Sequence, residues 1–396
     1  MQRPHAVIAG AGIGGLCAAL CLARGGWRVS LYDKAQTLEE AGAGLQLSPN
    51  ASIILQRLGL IQYLTPHAVY PEAIRIRQAK SGEALARVPL ASAQARWGAP
   101  YLAAHRGDLY RVLLDAAARE PSIELNAASA VTGFSRCKGL VTAHVIGPGS
   151  HFEAAGDCLI GADGLRSTIR QALYADELIF SGQTAWRSVI DAAVVPEAMR
   201  RNEINLWLGS RAHLVHYPLR GGTVINVVAV VDDHFRPSSE SFWSSPGDAG
   251  ELARRFADWN EDARILLSAA PSWLKWPLAD RRPLDHWVDG RVALLGDAAH
   301  PMLPFLAQGA AQAIEDAGAL GELLSQEGDI EGKLRCYQAR RLPRANRIQR
   351  QSRRQAFIYH LGGLPALARN AVIWSSPASR WLARFDWLYQ TRGGDA

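Results

Sequence analysis

Three glycines near the amino terminus are the first residues whose spacing could do chemistry, in the pattern Gly10-x-Gly12-x-x-Gly15. In such a loop the first glycine permits a tight turn and the second lets a pyrophosphate approach the backbone. The third lets a helix pack closely against a strand. Asp33 follows where a carboxylate can accept hydrogen bonds from a ribose hydroxyl. The pattern therefore predicts a site for an adenine dinucleotide, without distinguishing FAD from NAD.

The elements that must position this loop can be read from the residues around it. Residues 6–9 form a short apolar run, residues 13–24 have helical composition, and residues 27–32 alternate like a strand that leads into Asp33. This order predicts a βαβ unit. The uncharged stretch 6–23 is similar to the start of a signal peptide, but the glycine pattern explains it better, so we expect a cytoplasmic protein.

Composition limits the remaining classes of protein. Of 396 residues, 48% are hydrophobic and 20% charged, which is typical of a globular chain with a large core. The net charge of +6 comes from the tail, because residues 331–396 hold thirteen basic and three acidic side chains. Basic residues there recur every three or four positions and predict a solvated helix face rather than a nucleic-acid site: Arg340, Arg344, Arg347, Arg350 and Arg354.

Metal, disulfide and membrane signals are weak. The five cysteines have neither a CxxC pattern nor metal-ligand spacing with histidine, so we expect no metal and a reduced compartment. No other segment reaches the roughly 18 apolar residues of a membrane helix, so we expect no stable membrane insertion.

Two further segments give the pattern a family resemblance. Residues 158–167 read CLIGADGLRS and residues 291–301 read RVALLGDAAHP. They resemble the DG and GD motifs of flavoprotein aromatic hydroxylases, the group that includes para-hydroxybenzoate hydroxylase. Residues 105–109 and 307–317 continue the likeness. No second glycine motif follows a strand, which is unlike the disulfide reductases that bind two dinucleotides.

The resemblance implies an α/β protein with a Rossmann-like FAD-binding domain, an antiparallel β-sheet substrate domain and C-terminal helices. The FAD-binding domain would comprise residues 1–72, 99–180 and 285–340, and the substrate domain residues 181–284 with a hairpin at 73–98. Residues 341–396 would form the C-terminal helices. The implied FAD contacts are Gly10, Gly12, Gly14, Gly15, Asp33, Lys34, Gly44, Leu45, Arg106, Asp163, Gly164, Arg166, Gly296, Asp297, Pro301, Gln308, Gly309 and Ala310.

A helix is predicted from about Gly309, because Pro301 and Pro304 prevent one earlier. Its positive end would face the flavin pyrimidine ring and stabilise the charge that forms on reduction. NADH or NADPH would bind transiently to the same domain, and O2 would be the second substrate.

Strand-like alternation within residues 182–233 predicts the substrate sheet. In the strand His213-Leu-Val-His-Tyr217 the period of two places His213 and Tyr217 on one face and His216 on the other. The resemblance assigns His213 and Tyr217 to catalysis. His213 would take a phenolic proton, so that the ring attacks a flavin C4a-hydroperoxide, and Tyr217 would hydrogen-bond the substrate.

The substrate itself is less well defined by the sequence. The substrate pocket is expected to comprise Gln46, His213, Tyr217, Pro304 and Phe305. Related hydroxybenzoate and hydroxynicotinate enzymes tend to carry other side chains at the positions of Gln46, Pro304 and Phe305. We therefore expect this pocket to be less polar than theirs. A salicylate- or hydroxybenzoate-like substrate is predicted. The alternatives are a larger polycyclic or heteroaromatic substrate, or a flavoprotein that does not hydroxylate. We expect the protein to be a monomer or a homodimer.

Overall fold

The computed structural model describes residues 3–39, 43–137, 139–233 and 244–390. The described residues form nineteen strands, most of which come before the long helices of the carboxyl-terminal part. In chain order they are β1 His5–Ala9, β2 Arg28–Tyr32, β3 Gly44–Leu47, β4 Ala73–Gln78, β5 Ala84–Pro89, β6 Leu102–His105, β7 Ile123–Asn126, β8 Ala130–Cys137, β9 Leu140–Gly147, β10 Ser150–Gly156, β11 Cys158–Gly161, β12 Ile179–Asp191, β13 Glu203–Gly209, β14 Ala212–Leu219, β15 Val224–Asp232, β16 Ser245–Gly247, β17 Trp273–Asp280, β18 Val288–Asp289 and β19 Val292–Leu294.

The helices lie between these strands and dominate the carboxyl-terminal part. They are α1 Ile13–Arg24, α2 Pro49–Arg57, α3 Ile61–Leu64, α4 Ala93–Trp97, α5 Arg106–Arg119, α6 Thr168–Leu173, α7 Ala249–Arg255, α8 Glu261–Ser268, α9 Gly309–Leu324, α10 Ile330–Tyr359, α11 Gly363–Ser375 and α12 Ala378–Tyr389. The predicted helices at 13–24 and from about Gly309 are confirmed.

The first domain is built on a sheet in the order β18-β19-β11-β1-β2-β7. Every neighbouring pair is parallel except β18 and β19. Residues 6–9 of β1 are all buried, and because successive side chains point to opposite faces, both faces of the sheet are covered. The predicted βαβ unit and the Rossmann-like fold are confirmed, and the carboxyl ends of β1, β11 and β19 carry the three predicted motifs side by side.

The second domain is an eight-stranded sheet in the order β16-β17-β12-β15-β14-β13-β4-β5. Its pairs are antiparallel except β13 with β4, which joins the predicted hairpin to the sheet edge. One face packs against α7 and α8 through a core that includes Trp207, Phe256 and Leu266. Strands β16 and β17 complete the other edge and were not predicted.

The carboxyl-terminal helices connect the two sheets. Helix α10 is 30 residues long and packs against α9 and the turn at residues 304–306. The predicted domain limit between residues 340 and 341 falls inside α10, so the C-terminal helices do not begin a separate unit. The arginine face of α10 is solvated at Arg340, Arg347, Arg350 and Arg354, whereas Arg344 is half-buried and binds Glu315.

The described part of the chain shows neither a membrane-spanning helix nor a cluster of metal ligands. None of its helices combines the length and the apolar character needed to cross a bilayer. The same residues contain no group of three or more histidine, cysteine, aspartate or glutamate side chains placed to hold a metal ion.

Candidate active site

The glycine loop between β1 and α1 has the shape that the motif requires. Gly10 has a φ of +101° and donates its N–H to the carbonyl of Tyr32 at 2.7 Å. A Cβ on Gly15 would lie 1.9 Å from the carbonyl oxygen of Gly10, so only glycine lets α1 approach this closely. A Cβ on Gly12 would meet no atom within 4 Å, and no side chain caps the start of α1. This cradle fits a pyrophosphate, since unpaired N–H groups at a helix start bind anions.

Asp33 is bonded to the glycine loop itself. Its carboxylate accepts from the N–H of Ala11 at 2.7 Å and from the N–H of Ala35 at 2.8 Å, and the exposed Lys34 lies beside it. Each carboxylate oxygen can accept more than one hydrogen bond, so the predicted role toward a ribose is compatible with these contacts.

Asp163 and Gly164 form the turn after β11. One oxygen of Asp163 accepts from the N–H of Thr168 at 2.7 Å, and the other, Oδ1, is buried without a hydrogen-bond partner. Burial raises the pKa of Asp163. Gly164 has a φ of +79°, and the half-buried Arg166 follows in the same turn. An unpaired buried oxygen beside the glycine loop fits a hydrogen-bond donor supplied by a bound cofactor.

Arg170, which was not predicted as a site residue, joins this turn to the GD segment. It is fully buried, donates to the carbonyls of Ala298 and Ala299 at 3.0 and 2.9 Å, and forms an ion pair with Asp176 at 2.7 Å. Arg170 therefore fixes the two motifs to each other through hydrogen bonds that it donates to protein groups.

A second buried network holds Gly296. Its N–H donates to Asp316 at 3.0 Å, and the same carboxylate contacts Nε2 of His300 at 2.5 Å and Nε of Arg341 at 2.7 Å. Gly296 has a φ of +62°. Burial by itself would raise the pKa of Asp316, but the charges of His300 and Arg341 lower it. Asp316 thus anchors the GD turn to α9 and α10.

Asp297 lies outside that network, just after the carboxyl end of β19, where open α/β sheets have the cleft that binds ligands. Its side chain is solvent-accessible although protein surrounds it, and burial raises its pKa while His300 and Arg106 oppose the shift. A Cβ on Gly309 would lie 4.0 Å from its Oδ1, so the start of α9, with Ala310, adjoins the cleft. That helix start has no capping side chain and no acidic residue in its first turn. The arrangement fits the ribityl chain and pyrimidine ring of a flavin.

Not every implied contact is made by a side chain. Gly14 faces Leu295 and Ala313, so its small size serves the packing of α1. Pro301 is buried and its carbonyl accepts from Gln349 at 2.7 Å. Both positions can reach a cofactor only through their backbone.

Gln308 is likewise occupied within the protein. Its amide donates to Ser48 at 2.8 Å and accepts from Asn50 at 3.1 Å and from Gln312 at 2.9 Å, all buried. This side chain therefore fixes the segment after β3 to α9 rather than facing the cleft.

Strand β3 joins the cleft to the substrate sheet. The N–H of Gly44 donates to Asn226 at 2.7 Å, and a Cβ there would lie 2.8 Å from the hydroxyl of Tyr217. Leu45 is half-buried next to it, and β3 pairs with β6, which leads into Arg106 at the start of α5. Arg106 is close enough to Asp297 to affect its pKa.

A cavity of about 700 Å³ lies between the substrate sheet and the C-terminal helices. Four of the five predicted pocket residues line it, namely Gln46, His213, Pro304 and Phe305. Tyr217 is not among the lining residues. Tyr217 is 3% exposed, and burial raises its pKa. Gln46 is close enough to oppose that shift, and it also accepts a hydrogen bond from Tyr101 at 2.7 Å.

His213 begins a chain of three titratable groups. Its Nδ1 lies 2.8 Å from Nε2 of His360, and Nδ1 of His360 lies 2.5 Å from Oδ1 of Asp232. Among the described residues, His213 has a hydrogen-bond partner at Nδ1 and none at Nε2. Burial lowers the pKa of His213 strongly, and the neighbouring His360 lowers it further. His360 directly follows the last residue of α10, and nothing in the local sequence connects it with β14.

The predicted alternation of β14 is confirmed at His216. Its side chain lies on the opposite face, where Nδ1 accepts from Nε1 of Trp207 at 3.2 Å. Burial lowers the pKa of His216 to about 3. This histidine is part of the core beneath the sheet and has no access to the cavity.

Arg187, to which the sequence assigned no role, is a half-buried cation near the cleft. Its Nε is buried and has no hydrogen-bond partner among the described residues. Burial lowers its pKa, and the positive charge of Arg106 lowers it further. Tyr217 is also close enough to act on it. Two neighbouring cations at this junction favour an anionic group between the domains.

Comparisons with known proteins agree with this geometry. Residues 4–352 match the family described as FAD binding domain. A 3-hydroxybenzoate 6-hydroxylase of Klebsiella oxytoca is 37% identical over 388 residues, which are 97% of this chain and 96% of the relative.

Two solved structures share the whole architecture. HpxO of Klebsiella pneumoniae, in complex with FAD and uric acid, has a TM-score of 0.87 and 25% identity and covers 98% of both chains. A salicylate hydroxylase substrate complex has a TM-score of 0.83 and 27% identity, covering 98% of this chain and 95% of that one. With the three motifs meeting at one cleft, these likenesses assign the chain to the FAD binding domain family, in which it is an FAD-dependent aromatic hydroxylase.

Proposed function

We propose that the protein hydroxylates a phenolic aromatic carboxylate of the hydroxybenzoate or salicylate type, with NADH or NADPH as electron donor and O2 as oxidant. The observation that carries this proposal is the placement of His213. It lines the cavity, and its Nε2 has no partner among the described residues. An imidazole nitrogen that faces a pocket without a protein partner is available to a substrate hydroxyl.

Removal of the phenolic proton is the step that this chain's own residues perform. A phenolate ring is more electron-rich than a phenol and is therefore attacked more readily by an electrophilic oxygen. When bound, FAD supplies the two-electron and oxygen chemistry of the reaction, while the protein supplies binding, orientation and proton transfer. The apolar wall around His213, which includes Phe305 at a centroid distance of 5.3 Å, excludes water from that transfer.

The polar groups at the other end of the pocket are proposed to orient the substrate. Gln46 is fixed by the hydroxyl of Tyr101 at 2.7 Å and adjoins Tyr217. The side chain of Gln46 lines the cavity, so its amide can hydrogen-bond a substrate carboxylate or hydroxyl. Tyr217 is proposed to act through this amide and through its contact with Gly44, because it does not itself line the cavity.

The size of the cavity favours a second candidate substrate. About 700 Å³ is within the range of roughly 300–1,000 Å³ that holds drug-sized ligands. A single-ring acid would leave much of this space to water or to other groups. The second candidate is therefore a phenol that carries a further ring or an apolar substituent directed toward Trp381, which also lines the cavity.

The test is oxidation of NADH and NADPH by the purified FAD-bound protein in air, with hydroxybenzoates, salicylate, hydroxynicotinate and larger phenols. Products are identified by mass. Stimulation with a product one oxygen atom heavier, or a decarboxylated hydroxylation product, supports the proposal. The matched controls are His213→Asn, expected to lose hydroxylation, and His216→Asn, on the opposite face, expected to retain it. Failure of every phenol to stimulate oxidation would contradict the proposal.

We also propose that the enzyme works in the cytoplasm as a monomer or a homodimer. All five cysteines are free, and a reducing compartment would maintain them in that state. Light scattering of the purified protein separates the two assembly states, and fractionation of expressing cells tests the compartment.

A further inference from the structure

We propose that His360 and Asp232 are positioning residues that hold His213 in the tautomer able to accept a substrate proton, and that they carry that proton away from the pocket. This inference rests on the proposed function, in which His213 is the base. It adds two residues from distant parts of the chain, the carboxyl end of α10 and the end of β15, to which the sequence assigned no role.

The tautomers follow from the geometry, starting at Asp232. A carboxylate can only accept, so the hydrogen bond that His360 donates to Asp232 requires a proton on Nδ1 of His360. Nε2 of the neutral His360 then carries a lone pair and must accept from Nδ1–H of His213, 2.8 Å away. The remaining nitrogen of His213, Nε2, is therefore the unprotonated one, and His213 lines the cavity. Asp232 thus sets the state of a ring that it does not touch.

Proton transfer along this chain is balanced and involves no oxidation or reduction. The substrate O–H bond breaks and an Nε2–H bond forms on His213. The Nδ1–H bond of His213 then breaks while an Nε2–H bond forms on His360. His213 returns to a neutral ring, and the positive charge comes to lie on His360 beside the carboxylate of Asp232.

The environment of each group favours this direction. His213 is 4% exposed and touches the rings of Phe305, Tyr359 and His360, so a cation held there would lack hydration. The side chain of Asp232 is 30% exposed, and its negative charge is adjacent to His360. The relay therefore moves a proton from an apolar pocket to a charged group at the solvent boundary.

The other groups around Asp232 are compatible with this role. Arg211 approaches its second oxygen at 3.8 Å, and the amide of Gln183 donates to Oδ1 at 3.2 Å. Both add to the larger effect of His360, which lowers the pKa of Asp232 against the effect of burial. The same amide lies 3.1 Å from Nδ1 of His360, but the shorter contact with a carboxylate determines that proton. Asp233, the next residue, binds Thr184 at 2.9 Å and serves as a local control.

The first experiment measures tautomers and needs no turnover. Nitrogen NMR of the holoprotein labelled at histidine should show Nδ1–H tautomers for both His213 and His360. In Asp232→Leu the carboxylate that accepts from Nδ1–H of His360 is lost, and the amide of Gln183, 3.1 Å away, can donate to that nitrogen instead. Both rings should then invert, so that His213 carries its proton on Nε2. Asp233→Asn should leave both tautomers unchanged. Unaltered tautomers in Asp232→Leu would overturn the proposal.

The second experiment measures the hydroxylation step with a phenolic substrate. His360→Gln and Asp232→Asn should each lower kcat by roughly 10²-fold or more, the range for loss of acid–base catalysis, with KM and FAD content little changed. Asp232→Glu should restore part of the rate. The double variant His213→Asn with His360→Gln should be no slower than His213→Asn alone, because the two residues act as one unit.

Failure of this inference can be told apart from failure of the proposed function. If His213→Asn abolishes hydroxylation while His360→Gln and Asp232→Asn retain it with an unshifted pH profile, His213 is the base and the relay is wrong. If no phenol is hydroxylated by the wild-type protein, the proposed function fails before any variant is compared. The NMR result then still decides whether Asp232 sets the tautomers.

Discussion

The guanidinium of Arg187 lies over the indole ring of Trp276, with its central carbon 5.1 Å from the ring centroid. This contact stabilises the half-buried cation but does not neutralise it. Arg106 is close enough to lower the pKa of Arg187 further. The positive charges of Arg187 and Arg106 therefore oppose each other at the junction of the two domains.

Replacement of Arg187 with methionine should separate stability from ligand binding. Because a half-buried charge without an ion-pair partner among the described residues is removed, the ligand-free protein should unfold at an equal or higher temperature. Binding of an anion at the junction, whether a substrate carboxylate or a flavin group, should weaken by about tenfold or more, which corresponds to about 1.4 kcal/mol. Thermal unfolding and titrations with FAD and with substrate measure the two effects, and a less stable variant with unchanged affinities would contradict this account.

The open side of Gly12 leads to a sharper test of the phosphate cradle. An alanine there meets no protein atom, so Gly12→Ala should fold normally, but its methyl group would occupy space needed by the pyrophosphate. We expect FAD affinity to fall by about tenfold or more (about 1.4 kcal/mol). Gly133→Ala on β8 also meets open space and is the matched control. Equal FAD content in both variants after gel filtration would refute the assignment of the cradle.

Much of this arrangement could be predicted, because the motifs are local. The glycine loop, the end of β11 and the end of β19 each combine a buried strand with a turn, and parallel pairing brings the three together. The opposite orientations of His213 and His216 follow from the period of a strand. Each of these inferences used only neighbours in sequence.

The rest depends on contacts between residues far apart in the chain. His360 and Asp232 are 128 residues apart, and Arg341 reaches Asp316 from a helix that reads as a basic, solvated face. The residues next to a charged side chain in a helix do not indicate whether that side chain is buried. Gln308 is the opposite case, because its position in a cofactor motif predicted a contact with FAD. Its amide instead forms hydrogen bonds with Ser48 and Asn50, which are distant in the sequence.

The ion pair of Asp316 and Arg341 should dominate the acid sensitivity of the first domain. Both side chains are at most 5% exposed. Asp316→Asn leaves the cation of Arg341 with one fewer carboxylate partner and should lower the free energy of unfolding by about 3–5 kcal/mol. Since the pKa of Asp316 is lowered in the folded protein, its contribution is present above the unfolded pKa and is lost as pH falls through the folded pKa.

Denaturant unfolding between neutral and acid pH measures this contribution. Asp289→Asn is the control, because its pair with Arg136 is exposed and should contribute little. The wild type should lose its advantage over Asp316→Asn as the pH is lowered, whereas its difference from Asp289→Asn should stay small throughout. A constant difference between wild type and Asp316→Asn across the acid range would show that the charge of Asp316 is not involved.

His216 should make the folded protein sensitive to mildly acid pH by a different route. Burial lowers its pKa from 6.5 to about 3, so between these values the unfolded chain binds a proton that the folded chain does not. Stability is therefore complete above pH 6.5 and falls as the pH decreases through that window, by about 2 kcal/mol at pH 5. His216→Asn retains an acceptor for Trp207 but does not titrate there. It should be less stable than wild type at neutral pH, with a smaller loss of unfolding free energy from pH 7 to pH 5, and an identical loss in the two proteins would rule out this origin.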